Sequence, residues 1–312
     1  MGSNWELSHS GIYVKDFDKT VQYYQALSLA PVLPRAQSPF NASDKTVEVF
    51  FGKVRPPRDP KARYFLQLIY IGDLELEVLN LPAEPPKGDA LAYRDGVNHV
   101  CFNVPDIDSE SNKLMKKGMP LILDVIRNEV RIEDYLDTRE FGNVLLSLRG
   151  LQTEEMKARK AGYGIVNWKF QGHSVVVKDI DKTAKYYESM GIAAIKPEAV
   201  FDSGSMTGVK VYGQAAKSAI KAKTRTAQIG PVAFEFIQPI EGEGIYKEHL
   251  DRNGDGIIDL VFTVDDLEKE TANLVKKGVR VIFSGKPKTG GAFAYFDTRQ
   301  ESGDTMIKLI QH

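Results

Sequence analysis

Two histidines and one glutamate in the first half of the chain carry side chains that transition metals prefer. His9 lies in HSGIYV, His99 in NHVCFNV and Glu77 in LELEVLN. Side chains alternate between the two faces of a strand, so all three lie opposite the aliphatic residues of their strands. Ser147 shares their face, and Glu75 becomes the competing carboxylate if the register differs by two residues. Two imidazoles and a carboxylate predict one divalent transition metal: Fe, Mn, Co, Ni or Zn.

The strands that hold these residues belong to a module that occurs four times. The segment HSGIYVKDFDKTVQYYQALSLAP returns as GHSVVVKDIDKTAKYYESMGIAA, and HVCFNVPDIDSESNKLMKKGMPLI returns as DLVFTVDDLEKETANLVKKGVRVI. In each module an apolar strand ends at an aspartate, and a helical pattern follows. Aspartate is a preferred N-cap, so we predict helices that begin after Asp16, Asp106, Asp179 and Asp266.

The duplication divides the chain into two predicted domains, residues 1–150 and 166–312. The segment between them, GLQTEEMKARKAGYG, is polar, favours helix and is bounded by glycines. Residues 151–165 are therefore predicted to form a linker helix.

Composition limits the classes of function. The chain has 312 residues, 42% hydrophobic and 27% charged, with a formal net charge of −1. A basic field that would hold nucleic acid or an anionic membrane is absent from the sequence, so a small-molecule substrate is expected. Neither a long apolar run nor a secretory signal is found, which favours the cytoplasm. The single Cys101 offers no internal disulfide, and a homodimer is left open.

The four modules, with their V-K-D-(I/F)-D-K-T and D-T-R landmarks, resemble the vicinal oxygen chelate superfamily over nearly the whole chain. That superfamily includes glyoxalase I, methylmalonyl-CoA epimerase, extradiol dioxygenases and bleomycin-resistance proteins. The resemblance implies an α+β fold, in which four βαβββ modules pair into two domains with cup-shaped mixed sheets. It also implies that His9, Glu77, His99 and Ser147 fill the four ligand positions of the first cup. Ser147 departs from the family's glutamate and leaves that position to water or substrate.

The equivalent positions of the second half hold a different set of side chains, Gly172, Glu235, Asp259 and Lys308. A lysine ammonium repels a metal cation and can pair with a glutamate instead. The second cup is therefore predicted to lack a metal. His173 is expected to point to the opposite face of its strand.

The resemblance implies that the metal takes two neighbouring substrate oxygens and stabilises an oxyanion or enolate. The first hypothesis is thus an isomerase, epimerase or lyase that removes a proton beside a metal-bound carbonyl. Glu75 and Tyr13 are candidates for its base. Tyr135 or Arg139 could hold a substrate carboxylate or oxyanion. The D-T-R triplet occurs in both halves, however, which favours a structural role for Arg139.

Two alternatives remain. A ring-cleaving dioxygenase with Fe(II) fits two histidines and one carboxylate. Its placement is unfavourable, because extradiol members draw the carboxylate from the position of Ser147 and usually carry the metal in the C-terminal half. A non-catalytic binder of the bleomycin-resistance type would hold a ligand without metal.

Overall fold

A computed structural model of the protein describes residues 4–29, 31, 36–37, 46–50, 65–80, 95–161 and 163–312. The chain forms two compact units. One holds Asn4–Glu140 and Val144–Ile165, and the other holds Phe141–Asn143 and Val166–His312. The predicted domain bounds at residues 150 and 166 stay a prediction.

The first unit is built on one mixed sheet. Its strands are β1 Glu6–Val14, β2 Ala36–Gln37, β3 Val47–Phe50, β4 Phe65–Ile71, β5 Leu74–Asn80, β6 Gly96–Val104, β7 Leu121–Arg127, β8 Val130–Asp137 and β9 Leu145–Gly150. Its helices are α1 Phe17–Ala26, α2 Ile107–Lys116 and α3 Glu154–Ala161. The strand order is β2-β4-β5-β1-β6-β9-β8-β7-β3. Strand β1 therefore lies between β5 and β6, so the strands that carry the predicted metal ligands are neighbours.

The second unit is built on another mixed sheet. Its strands are β10 Lys169–Val176, β11 Ala194–Ile195, β12 Ala199–Asp202, β13 Thr207–Val211, β14 Gln214–Ala215, β15 Lys221–Ile229, β16 Val232–Glu241, β17 Gly256–Ile257, β18 Asp259–Thr263, β19 Val281–Lys286, β20 Ala292–Phe296 and β21 Met306–Gln311. Its helices are α4 Ile180–Met190, α5 Ile245–Asn253 and α6 Leu267–Lys276. The main path runs β11-β15-β16-β10-β18-β21-β20-β19-β13-β14, while β12 pairs with β15 and β17 with β10.

The predicted α+β class with two mixed sheets is confirmed. The second module follows the predicted βαβββ order as β6-α2-β7-β8-β9. The third module is longer, because short strands β11 to β14 precede β15 and β16. The β13-β14 hairpin extends the sheet edge beyond β19. The third module therefore carries additional short strands beside its βαβββ core.

Helices begin after the four repeated aspartates, as predicted. In each case the aspartate carboxylate accepts a hydrogen bond from the backbone N–H three residues later. This contact satisfies one of the N–H groups that lack a partner in the first helical turn. The repeated V-K-D segment is thus a strand end joined to a helix cap. Among the described residues, none of the helices is long and apolar enough to cross a membrane.

The aliphatic residues that the sequence places on one face of the central strands are buried. Ile12, Val78, Val100 and Phe102 are fully buried on β1, β5 and β6. Burial of such side chains contributes roughly 1.5–3 kcal/mol each. The aliphatic face fixes the register of these strands, because a slip of one residue would exchange it for the polar face.

Candidate metal centre

The predicted ligands are aligned by the pairing of three central strands. Strand β1 runs parallel to β5 and antiparallel to β6. Gly11 is paired with Glu77 on one side and with His99 on the other. His9 lies two residues before Gly11 and therefore on the same face of β1. The register alone thus places His9, Glu77 and His99 beside one another; we call these three residues the His–Glu cluster.

Gly11 provides the space that the His99 ring occupies. A β-carbon added to Gly11 would lie 1.8 Å from Cε1 of His99, far inside van der Waals contact. Any other residue at position 11 would displace the imidazole. Glycine at position 11 is therefore needed for the His99 ring to occupy its place in the site.

The three ligand atoms of the His–Glu cluster are close together. Nε2 of His9 lies 3.2 Å from Nε2 of His99. Oε2 of Glu77 lies 3.4 Å from the first nitrogen and 3.6 Å from the second. A point equidistant from the three atoms would be about 2 Å from each, which matches metal–nitrogen and metal–oxygen bonds of about 2.0–2.2 Å. The donor types and their spacing therefore fit a divalent transition metal.

Burial and charge also suit a cation at this position. All three residues are buried. Burial alone would raise the pKa of Glu77, but His9, His99 and Arg149 outweigh it and hold that pKa well below its ordinary value. Burial lowers the pKa of His99. The carboxylate is thus ionised and the His99 ring neutral, which are the forms that bind metals.

The outer nitrogens of the two imidazoles differ in their surroundings. Nδ1 of His9 lies 3.1 Å from the Ser8 hydroxyl, a partner that can hold the ring with Nε2 towards the cluster. Nδ1 of His99 is buried with no hydrogen-bond partner among the described residues. Its ring is held by packing instead, with the Tyr135 ring centroid at 5.0 Å.

A second carboxylate and an arginine adjoin the cluster, and the sequence analysis missed both. Glu133 on β8 accepts hydrogen bonds from the Ser147 hydroxyl at 2.7 Å and from the Arg149 guanidinium at 2.5 Å. Arg149 also lies 4.0 Å from Glu77. The signal for Arg149 was available, because it lies two residues after Ser147 on the same face of β9.

Glu133 also belongs to a second group with metal-binding geometry. The ligand atoms of His9, Cys101 and Glu133 lie within 4.8 Å of one another, as do those of the His–Glu cluster. Burial raises the pKa of Cys101 above its ordinary range, so the thiol is protonated and a poor ligand. The His–Glu cluster is therefore the better site of the two.

Ser147 takes part in the site in a way that the sequence did not predict. Its hydroxyl donates a hydrogen bond to Glu133 instead of standing alone at the fourth ligand position. The serine thereby helps to orient a carboxylate. The expectation that Ser147 leaves its ligand position to water or substrate stays a prediction.

Two of the predicted catalytic residues lie near the cluster. Tyr135 packs against His99, and its burial and the nearby Glu133 raise the pKa of its phenol well above the ordinary value. Tyr13 is buried on β1, close enough to Tyr135 to raise that pKa further. The Tyr135 phenol is therefore protonated and can donate a hydrogen bond, but it is not a ready base.

The other two predicted catalytic residues have partners of their own. Glu75 accepts a hydrogen bond from the Tyr70 hydroxyl at 2.7 Å. It also forms an ion pair with Lys160, again at 2.7 Å. Arg139 pairs with Asp137 at 2.7 Å. The second D-T-R triplet has the same Arg–Asp contact, again at 2.7 Å, which agrees with a structural role for the triplet.

The second unit places different side chains at the same register positions. Ser174 pairs with Glu235 as Gly11 pairs with Glu77. Val261 pairs with Lys308 as Cys101 pairs with Ser147. The Lys308 ammonium lies 3.0 Å from the Glu235 carboxylate, so the expected ion pair is present.

Gly172 stands at the position of His9 and cannot be exchanged for a larger residue. It pairs with Val261 as His9 pairs with Cys101. Its φ of 147° favours glycine, and an added β-carbon would lie 1.9 Å from the backbone oxygen of Ala233. The backbone thus leaves no room for a ligand at this position.

His173 is buried and its ring takes part in a structural contact. Nδ1 lies 2.9 Å from the backbone oxygen of Asp259, to which it can donate a hydrogen bond. The ring packs against Phe170 and Phe234, with centroids 5.2 Å and 5.9 Å away. These contacts fit the prediction that His173 points away from the position of His9.

We expect His173 to make the free energy of unfolding depend on pH. Burial lowers the pKa of its ring to about 4, against about 6.5 in an unfolded chain. The unfolded state therefore binds the proton first. Stability from this residue is fully present above about pH 6.5 and is lost as pH falls towards 4. At pH 5 the loss relative to pH 7 is about 2 kcal/mol.

Denaturant unfolding at pH 5 and 7 would measure this loss, with His173→Asn as the comparison. Asparagine keeps an N–H donor near the Asp259 carbonyl but does not titrate. Burial raises the pKa of Asp259 to about 6, so this residue changes the free energy of unfolding with pH in the opposite direction. Because Asp259 is present in both proteins, its contribution cancels when the two pH dependences are subtracted. Equal pH dependence of the two proteins would contradict the assignment.

The comparisons with known proteins concern both the second half and the whole chain. Residues 173–296 match the family model of the Glyoxalase/Bleomycin resistance protein/Dioxygenase superfamily. No curated protein sequence matches the chain significantly. A solved mutant of 4-hydroxymandelate synthase from Streptomyces coelicolor is similar over 98% of this chain and 92% of its own, with 14% identity and a TM-score of 0.65. At this identity the likeness concerns the fold alone.

Two shorter proteins resemble part of the chain. Methylmalonyl-CoA epimerase from Mycobacterium tuberculosis has 15% identity and a TM-score of 0.37, and covers 47% of this chain and 89% of its own. The epimerase from Streptomyces coelicolor has 13% identity and a TM-score of 0.35, and covers 46% of this chain and 96% of its own. TM-scores of this size carry no structural argument.

Proposed function

The chain carries a domain of the glyoxalase/bleomycin resistance/dioxygenase superfamily, and from that premise we propose that its first half is a metal-dependent isomerase, epimerase or lyase. Its substrate would be a small molecule with neighbouring oxygens. The observation that carries the proposal is the convergence of His9, Glu77 and His99, whose ligand atoms lie 3.2–3.6 Å apart in a buried site.

His9, Glu77 and His99 would hold one divalent metal. When bound, such an ion supplies Lewis acidity, which polarises a carbonyl and favours negative charge on its oxygen. Three protein ligands leave coordination positions for substrate oxygens. Burial of the His–Glu cluster keeps water out and strengthens every charge interaction in the site.

Glu133 is the residue that we assign to proton transfer. Its oxygens accept hydrogen bonds from Ser147 and Arg149, which fix the orientation of the carboxylate. Burial alone would raise the pKa of Glu133, but Arg149 and His9 together outweigh burial and lower it, so the carboxylate is ionised and can accept a proton. Its oxygen and the His9 nitrogen lie within 4.8 Å, so a substrate between them would meet both. Glu75 is less suitable, because Tyr70 and Lys160 already engage it.

Arg149 has a second part in this proposal. Its guanidinium contacts Glu133 and lies near Glu77, so it compensates two buried carboxylates. Arg149 is part-exposed, unlike the carboxylates that it contacts. It is therefore placed to hold a negatively charged group of a substrate by its planar N–H groups.

A dioxygenase is the second candidate. Two histidines and one carboxylate with open positions also form the ligand set of non-haem Fe(II) oxygenases. Oxygen activation would not require a base such as Glu133. The two candidates therefore differ in whether a substrate proton exchanges with solvent.

The test begins with the metal. Purified protein, stripped with chelator, would be titrated separately with Mn, Co, Ni, Zn and anaerobic Fe(II) while its Tm is followed. A saturating ligand at 100 times its Kd adds about 2.7 kcal/mol, so we expect a rise in Tm of roughly 5–10 °C. No bound metal and no rise in Tm would contradict the enzyme and favour a metal-free binder.

The loaded protein would then be tested for the reaction class. Small keto acids and acyl thioesters in deuterated water should acquire deuterium next to the carbonyl, as followed by mass spectrometry. Glu133→Gln should abolish this exchange without abolishing metal binding. Oxygen uptake with catechols or keto acids under Fe(II), without deuterium exchange, would instead support the dioxygenase.

A further inference from the structure

The second unit contains a cavity whose lining includes a charged pair. Its volume is about 210 Å³, and strands β16, β20 and β21 supply much of its wall. We call it the Lys–Glu cavity; its lining includes Phe201, Glu235, Tyr246, Phe293, Tyr295 and Lys308. It lies within one compact unit and does not include the His–Glu cluster.

The ammonium of Lys308 is fixed in position. It donates a hydrogen bond to Oε2 of Glu235 at 3.0 Å and lies 5.2 Å from the centre of the Tyr295 ring. The Lys308 side chain is 11% exposed and that of Glu235 is 37% exposed. A buried ammonium held by a partly open carboxylate presents a donor and an acceptor side by side to the cavity.

Aromatic rings form a wall around this pair. The hydroxyls of Tyr246 and Tyr295 lie 2.9 Å apart and share a hydrogen bond. The rings of Phe293 and Tyr295 meet edge to face at 6.0 Å, as do those of Phe201 and Phe293 at 6.3 Å. Edge-to-face pairs are favourable beyond the area that they bury, so the aromatic lining residues support one another.

We propose that the Lys–Glu cavity binds a small uncharged molecule that has an apolar body and one hydroxyl or primary amide group. A hydroxyl or an amide both donates and accepts, so Lys308 can donate to it while Glu235 accepts from it. The aromatic wall receives the apolar body.

Charge decides against the ionic alternatives. Lys308 and Glu235 cancel each other in the lining of the cavity. A carboxylate ligand would lie beside the negative charge of Glu235, and an ammonium ligand would lie beside the positive charge of Lys308. Either ion would lose its hydration next to a charge of its own sign, which is unfavourable. An uncharged ligand meets neither cost. This site is independent of the proposed metal-dependent function, because none of its lining residues belongs to the His–Glu cluster.

The test uses four probes of similar shape and different charge. Benzyl alcohol and benzamide are uncharged, while benzoate and benzylammonium carry opposite charges at neutral pH. Binding to the full chain would be measured by calorimetry with chelator present, so that metal in the first half plays no part. We expect the two uncharged probes to bind at least about tenfold more tightly than either ion. Equal or tighter binding of an ion, or binding of none of the four, would overturn the proposal.

Two substitutions locate the site. Lys308→Met and Glu235→Gln should each weaken benzyl alcohol binding about tenfold, because each removes one charged hydrogen-bonding partner. Glutamine has nearly the same shape as glutamate, so benzyl alcohol binding to Glu235→Gln decides the question if Lys308→Met fails to fold. Lys210→Met, at an exposed lysine outside the cavity lining, is the matched control and should bind as the parent does. Unchanged binding in Glu235→Gln would place the probe elsewhere and overturn the proposal.

Discussion

Replacing His99 by alanine is expected to weaken metal binding by the first half at least about 100-fold. Loss of a residue that only orients a ligand already costs about 10–100-fold in affinity, and His99 would be a ligand itself. Its Nε2 is one of the three converging atoms, 3.2 Å from His9 and 3.6 Å from Glu77. The affinity would be measured by titration of the chelator-stripped protein with Co or Zn.

The control for this experiment is another buried histidine. His173→Asn changes an imidazole of the second unit, which contacts Phe170, Phe234 and a backbone carbonyl. It should bind metal as the parent does. Circular dichroism would establish that both variants are folded. Retention of full affinity in His99→Ala would mean that the His–Glu cluster is not the metal site.

Replacing Arg149 by methionine is expected to lower the free energy of unfolding by about 3 kcal/mol in the absence of metal. Breaking a buried ion pair typically costs 3–5 kcal/mol, because the remaining charge stays buried without compensation, and the partial exposure of Arg149 places the expected value at the lower end. The charges left behind are Glu133 and Glu77, both almost fully buried. Thermal and denaturant unfolding would measure the change, with a fall in Tm of roughly 6–12 °C.

Metal should reduce this loss, since a cation between His9, Glu77 and His99 compensates one of the two carboxylates. Arg139→Met is the matched control. Its guanidinium is also part-exposed, but its partner Asp137 is 24% exposed and not buried as Glu133 is, so the loss should be closer to the roughly 0–1 kcal/mol of an exposed ion pair. Equal losses in the two variants, or a loss in Arg149→Met that metal does not change, would contradict the role given to Arg149.

The sequence was most informative where a pattern repeats or alternates. The aspartate caps were predictable because cap, helix and strand are contiguous in each module. His9, Glu77 and His99 were predictable because each lies opposite a row of aliphatic residues, and that row leaves one register available. The superfamily resemblance is confirmed for residues 173–296 by the family match, and nearly the whole chain is similar in fold to a solved structure.

Glu133 was missed for a physical reason. In VRIEDYLD, the apolar residues Val130, Ile132 and Leu136 share one face, but Asp134 interrupts their row, so the inner face is marked less clearly than in β1 or β6. The pairing of β8 with its neighbour β7 is also irregular, because the register shifts between Val125 and Ile126 of β7. The contact with Arg149 depends on the pairing of β8 with β9, which a single sequence does not specify.

The lack of a side chain at Gly11 is one of several features that the second half would need in order to hold the ligands of the first. Ser174 occupies the equivalent position in the second unit, so a histidine placed at 259 would meet a side chain where His99 meets none. Gly172 admits no ligand without movement of the neighbouring strand. Installing the ligands of the first half in the second would need changes at positions 172, 174 and 259 together, and more room beside the Ala233 backbone. A single substitution would therefore not build the ligand set of the first half in the second half.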